Sequence, residues 1–283
     1  MQGKIIFIEG NPGSGKTTFS RRLSKSLKNQ GYHVKHFQEG DLHPIDLAWC
    51  AIVDEKKYED FQHKYPLLKE DMIKHSKRLG KQWIIAYTRV DFRKATKAFY
   101  DEMEQYEIYR SKTLKPFKDL HEKLWTSFSQ KLKEDTIYIF ECVFIQNHIN
   151  ELILKYNLPF KEAYHYFVDL IQPLLPFHPL LFFIKQSDVK ASIERVSAER
   201  KSPDPDKVAH WIDRVVDYIT HMPYAKALSY TDYESVTQYF IDRQNLTIDI
   251  LKDLNINHHI LNLENDYDKI FEDIQEKTLD YIK

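Results

Sequence analysis

Gly10-Asn11-Pro12-Gly13-Ser14-Gly15-Lys16-Thr17 fits G-x-x-x-x-G-K-[ST], the pattern of a loop that cradles phosphate oxygens with backbone N–H groups. Its flanks agree. Lys4-Ile5-Ile6-Phe7-Ile8 reads as a buried strand, and Thr18 to Leu27 reads as a helix, the strand–loop–helix setting such a loop needs. The glycines let the backbone curl so that successive N–H groups point at an anion, and the helix start adds partial positive charge. Asn11, Pro12, Gly13, Ser14, Gly15, Lys16, Thr17 and Thr18 are therefore the expected nucleotide-binding segment. Lys16 is expected to be exposed and to bridge the β- and γ-phosphates, with Thr17 on Mg2+. The chain has only 7 glycines and spends three of them here.

Outward from this loop, strands alternate with helices. A helix is expected to about Asn29, with Gly31 ending it. Further strands are expected at 32–37, 136–140, 180–184 and 259–263, and helices at about 161–172, 187–201, 210–221, 235–254 and 267–282. That alternation predicts an α/β fold: a three-layer sandwich around a five-stranded parallel sheet. Residues 45–133 read as a helical substrate-binding insertion, with helices at 46–56, 66–78, 95–109 and 114–133. Trp83 to Tyr87 reads as a short strand or part of a helical turn. The whole chain reads as one domain, 1–283, carrying this insertion and a helical lid at about 187–235.

Composition narrows the function classes. Net charge is −1, so no global field draws nucleic acid to the chain. Two cysteines at no metal-ligand spacing suggest a reducing, cytoplasmic setting. The start of the chain enters the first strand directly, so no leader is expected. The most apolar stretch, 170–184, is broken by prolines and too short to span a membrane. Monomer and homodimer both remain open.

Three constellations carry candidate chemistry. Glu39-Gly40-Asp41 ends the second strand, where ligands of open α/β sheets bind. Either carboxylate, Asp41 slightly favoured, suits a base that takes a proton from an acceptor hydroxyl; His43 is a weaker candidate in the same loop. Glu141 ends an apolar strand and suits Mg2+ ligation through water, with Gln146 and Asn147 close behind. Arg195 and Arg200 suit stabilisation of a transferring phosphate. On a straight helix they lie about 140° apart, so both reach one phosphate only if the helix ends between them. The 195–208 segment is expected to close over the phosphates. In the insertion, Trp49, Trp83, Tyr87, Arg89, Arg110 and Trp125 read mostly as core, with Tyr87-Thr88-Arg89 the most suggestive of a site.

Phe7-Ile8-Glu9-Gly10 through Thr18, Leu27 to Val34, and His178-Pro179-Leu180 to Arg200 resemble the thymidylate kinase and nucleotide/nucleoside kinase group of P-loop proteins. The group carries Arg-Glu-Pro after strand two and an Asp-Arg pair after strand three. Here stand Gln38-Glu39-Gly40 and Glu141-Cys142, so two arginines that would grip a nucleotide monophosphate are missing. Gly40-Asp41-Leu42-His43-Pro44 is similar to the Gly-Asp-x-Leu-His-Pro of gluconate kinases, less one residue, and adenylylsulfate kinases share the Gly-Asp. Both phosphorylate hydroxyls. The resemblance implies a Mg-ATP-dependent kinase of a small hydroxylated molecule, such as a nucleoside or sugar derivative. A nucleoside monophosphate kinase and an ATPase or switch acting on a protein partner are the alternatives.

Overall fold

The structure is a computed structural model that describes residues 2–202, 209–263 and 266–283. Its elements run β1 (Lys4–Gly10), α1 (Lys16–Asn29), β2 (His33–Phe37), β3 (Ala51–Asp54), α2 (Glu55–Lys64), α3 (Lys69–Lys74), β4 (Ser76–Leu79) and β5 (Gln82–Ile85). They continue with α4 (Lys97–Glu104), α5 (Leu114–Lys131), β6 (Thr136–Glu141), α6 (Gln146–Ile149), α7 (Phe160–Ile171), β7 (Leu180–Gln186) and α8 (Val189–Glu199). The last are α9 (Trp211–Thr220), α10 (Pro223–Ala227), α11 (Tyr233–Asp253), β8 (Asn257–Leu263) and α12 (Tyr267–Ile282). They group into two compact units, residues 1–36 with 132–283, and residues 37–131.

The first unit holds a five-stranded sheet in the order β2-β6-β1-β7-β8. β1 pairs parallel with β6 and β7, and β7 pairs parallel with β8. Ile5, Ile6, Phe7 and Ile8 are all fully buried, a continuous apolar run suited to a sheet covered on both faces. On one face Ile6, Ile8, Ile139 and Phe182 pack with Phe19 and Leu23 of α1 and Ile270 and Ile274 of α12. On the other, Phe7 stacks on Phe140 and packs at a tilt against Phe144, and Phe144 meets Phe167 of α7 edge-on. This is the expected three-layer α/β architecture. α1 stops where the sequence says it should. Gly31 takes φ 89, Gly31 N–H donates to the Lys28 carbonyl, and Tyr32 N–H reaches back to Leu27, which together satisfy the helix's last carbonyls.

Helices α8 to α11 share their own apolar cluster, with Val189, Ile193, Ile219, Val236, Tyr239 and Phe240 buried in it. Residues 203–208 of the expected lid, and so part of the 195–208 segment, lie outside the described residues. Residues 146–155 carry no helix in the sequence expectation. There α6 runs into a π-helical turn, Asn150–Lys155.

The second unit is not all helical as expected. It contains a three-stranded antiparallel sheet, β3-β5-β4. The helix expected over 46–56 is replaced by β3, with Trp49 at φ 60 and the Asp54 side chain capping α2 through Lys57 N–H. The helix expected over 66–78 breaks into a 3-10 turn, α3 and β4. Leu79 pairs with Gln82 across Gly80-Lys81, a two-residue hairpin turn with Gly80 at φ 60. Trp83 on β5 stacks on Tyr58 at 4.3 Å, so packing against an aromatic, not helical periodicity, sets these strands.

Candidate functional site

The phosphate loop joins β1 to α1. Gly13 and Gly15 sit at φ 77 and 83, where a side chain is strained. A Cβ at Gly13 would also lie 2.4 Å from Val196, and one at Gly15 would lie 2.9 Å from Phe19 and Tyr267. Gly15 is the N-cap of α1 and brings no side-chain cap, and the first turn carries no acid. The first-turn N–H groups of a helix have no intrahelical partner. Here they and the positive helix end are left for an anion. Lys16 corrects the sequence expectation. It is only 7% exposed, because the curled loop turns the Asn11 carbonyl onto its ammonium at 2.9 Å.

Thr17 Oγ1 donates to Glu141 Oε1 at the end of β6, and Ser20, one turn further along α1, lies 3.3 Å from Glu141 Oε2. A hydroxyl and a carboxylate held together beside a phosphate cradle are the hard oxygen ligands that Mg2+ takes. The donor set thus fits a Mg-bound nucleotide: loop N–H groups and Lys16 for phosphates, Thr17 and Glu141 for the cation.

Glu9, just before the loop, is fully buried. Its carboxylate accepts from Phe144 N–H at 2.8 Å, Ile145 N–H at 3.3 Å and Gln146 N–H at 3.0 Å. Burial pushes its pKa up against those three bonds and the nearby Lys16 charge. Glu9 thereby fixes the segment after Glu141 and the start of α6, where Gln146 and Asn147 lie. On the other flank Gln186 Nε2 donates to the Pro12 carbonyl at 2.8 Å. Arg243 of α11 donates to Asn11 Oδ1. The sequence reading gives no role to Ser20, Gln186 or Arg243. Arg243 lies 232 residues from its partner, and no spacing rule reaches that far.

α8 does end between Arg195 and Arg200, but the two find different partners. Arg195 donates to the Gly13 carbonyl at 2.9 Å and to the Tyr267 hydroxyl at 3.5 Å. Arg200 lies over the Trp211 ring at 5.1 Å.

In the second unit, Glu39, Asp41 and His43 come together with Arg89. Asp41 Oδ1 pairs with Arg89 Nη2 at 2.8 Å, and Asp41 Oδ2 accepts Gln38 N–H at 2.8 Å. Arg89 Nη2 also donates to the Glu39 carbonyl at 2.9 Å, and Trp49 Nε1 donates to Glu39 Oε1 at 3.0 Å. His43 Nε2 lies 2.7 Å from the Gln38 carbonyl, so that nitrogen carries the proton. Burial holds the His43 pKa below its ordinary value. Both Asp41 oxygens are engaged, which makes this carboxylate an organiser of its loop as well as a candidate base. Tyr87 and Trp125 are buried, bonded to Glu107 and the Ile45 carbonyl, and serve as core.

Among the described residues no helix is long and apolar enough to cross a membrane. A family model described as "Chromatin associated protein KTI12" matches residues 4–161. No curated protein matches the chain. A solved structure titled "Crystal structure of APE1195" is similar over 100% of this chain and 98% of its own, at 12% identity and a TM-score of 0.38.

Proposed function

The chain belongs to the KTI12 family, a P-loop nucleotide-binding family, and from that premise we propose that it is a Mg-ATP-dependent phosphotransferase acting on a hydroxyl of a small molecule. The observation that carries this reading is the Thr17–Glu141 pair beside the lysine and uncapped helix start of the phosphate loop. In it, the loop N–H groups and Lys16 hold the β- and γ-phosphates, and Thr17 and Glu141 hold Mg2+, which would neutralise charge between the phosphates. Arg195, fixed on the Gly13 carbonyl, is the arginine nearest the loop on α8. Asp41 orients or deprotonates the acceptor hydroxyl, and Glu39 supports it through Arg89.

A second reading is an ATPase or switch acting on a protein partner. It is favoured by the engagement of both Asp41 oxygens and by the chromatin association in the family's description. ADP release measured against a panel of nucleosides, nucleoside monophosphates, sugars and antibiotics, with mass spectrometry of the acceptors, separates the two. A phosphorylated acceptor supports the kinase. ADP release that no acceptor stimulates and that leaves every acceptor unmodified supports the switch. Absence of Mg-ATP binding by calorimetry overturns both.

A further inference from the structure

Asn11 is the first variable residue of the phosphate loop, and α11 holds both ends of its side chain. Asn11 Oδ1 accepts from Arg243 Nε at 3.0 Å and Nη2 at 2.9 Å, and Asn11 Nδ2 donates to the Phe240 carbonyl at 2.8 Å. Arg243 Nη1 donates to Asn150 Oδ1 at 3.1 Å, and the same oxygen accepts the Tyr239 hydroxyl at 2.6 Å. Asn150 opens the π-helical turn, an irregularity that proteins tend to keep where a side chain must be aimed. Asn11 and Arg243 are 2% and 3% exposed, so a partner removed from either leaves polar atoms that water cannot readily serve. The Asn11 backbone takes part too, since its carbonyl receives Lys16 Nζ at 2.9 Å. The lysine of such a loop serves the β- and γ-phosphates. Asn11 therefore marks the γ end of the cradle, and Arg243 stands directly behind it.

We infer that Arg243 is a positioning residue that sets the γ-phosphate end of the loop through Asn11, so that discrimination between a nucleoside triphosphate and its diphosphate depends on α11. This rests on the reading of the loop as a nucleotide site. A flat guanidinium fork closing on one amide oxygen fixes the Asn11 plane more tightly than a single donor would. That in turn fixes where the Asn11 carbonyl, and with it Lys16, stands when the third phosphate arrives. The α- and β-phosphates meet the N–H groups further round the loop, beyond the Asn11 side chain on which Arg243 closes.

The test is calorimetric titration of Mg-ATP and Mg-ADP into the full chain, wild type against Arg243→Gln, Arg243→Lys, Asn11→Ala and the double variant Arg243→Gln/Asn11→Ala. Arg243→Gln and Asn11→Ala are each expected to weaken ATP about tenfold, about 1.4 kcal/mol, and ADP less than twofold. The double variant should lose no more than the weaker single variant, because the two residues act as one. Arg243→Lys should recover part of the preference for ATP. Equal losses for ATP and ADP would reduce Arg243 to general support of the fold. Losses that multiply in the double variant would show that it does not act through Asn11. Either result overturns the inference. If Arg243→Gln does not fold, Asn150→Ala carries the same test by freeing Nη1, with a smaller loss again confined to ATP. A wild-type chain that binds neither nucleotide would instead remove the function reading on which the inference stands.

Discussion

Replacing Lys16 by Met removes one ammonium and keeps the aliphatic stem. The lysine is 7% exposed and rests 2.9 Å from the Asn11 carbonyl. An ammonium has three donors, so it can keep that bond and add two to β- and γ-oxygens. Hydrogen bonds to charged groups are worth about 1.5–3 kcal/mol each. The contribution to ATP binding is then about 3–6 kcal/mol, a weakening on the order of 150- to 25,000-fold. The fold should change little, because Met fills the same space and the Asn11 carbonyl still accepts the Ser14 N–H at 3.2 Å. Titration of Mg-ATP into both proteins reads the affinity, and circular dichroism with urea melts checks that the chain is folded. A Lys16→Met protein that is folded and binds Mg-ATP within threefold of wild type would refute the assignment of this loop.

Glu141→Gln should raise the Mg2+ concentration needed for half-maximal ATP binding by about tenfold, since a carboxylate ligand becomes a neutral amide, while Mg-free ATP affinity stays within about twofold; unchanged Mg2+ dependence would exclude Glu141 from the metal site. Gly13→Ala should lower stability by about 2–4 kcal/mol, combining left-handed strain with overpacking against Val196, and a urea midpoint equal to wild type would show that the loop relaxes freely. Acid should weaken the fold through His43. Burial depresses its folded pKa below the ordinary 6.5, so its contribution is whole above that value and is lost as pH falls from there toward the folded value. Burial depresses His75 and His259 likewise, so stability curves from pH 7.5 to 5 should be compared between wild type and His43→Gln. The variant's curve should be flatter, and parallel curves would rule His43 out as a contributor.

The limits of reading the sequence follow from how far each signal travels along the chain. α1 runs from Lys16 to Asn29 as expected, because its start and stop are written locally in Gly15 and Gly31. The central strands are near-uniform apolar runs and are equally plain. β3 and β4 are only four residues each and half-buried, so their alternation is too short to outweigh the helical spacing of their neighbours. What holds them is Trp83, paired with Val53 on one side and Arg78 on the other. The Thr17–Glu141 pair was legible because a strand-end acid has a known place beside such a loop. Ser20 sat one turn beyond Thr17 and could have been found from helical spacing alone. The Asn11–Arg243 contact could not, because Arg243 lies on the same face of its helix as Val236, Phe240, Thr247 and Ile250, which marks it as buried but names no partner 232 residues away.

The strand order also fixes when the chain can fold during its own synthesis. β1 is made within the first ten residues, yet its two neighbours are Thr136–Glu141 and Leu180–Gln186. At about 5–20 residues per second the ribosome needs roughly 10–35 s to span that gap. Until Thr136–Glu141 emerges Ile5-Ile6-Phe7-Ile8 has no strand to pair with, and its second edge stays open until Leu180–Gln186 follows. Residues 37–131 are under no such delay, since β3, β4 and β5 find one another within 35 residues. The nascent protein therefore matures from its middle outward. The nucleotide cradle, which takes in Gln186, Arg195 and Arg243, closes late in synthesis, and holdase chaperones should engage the N-terminal segment until its partner strands emerge.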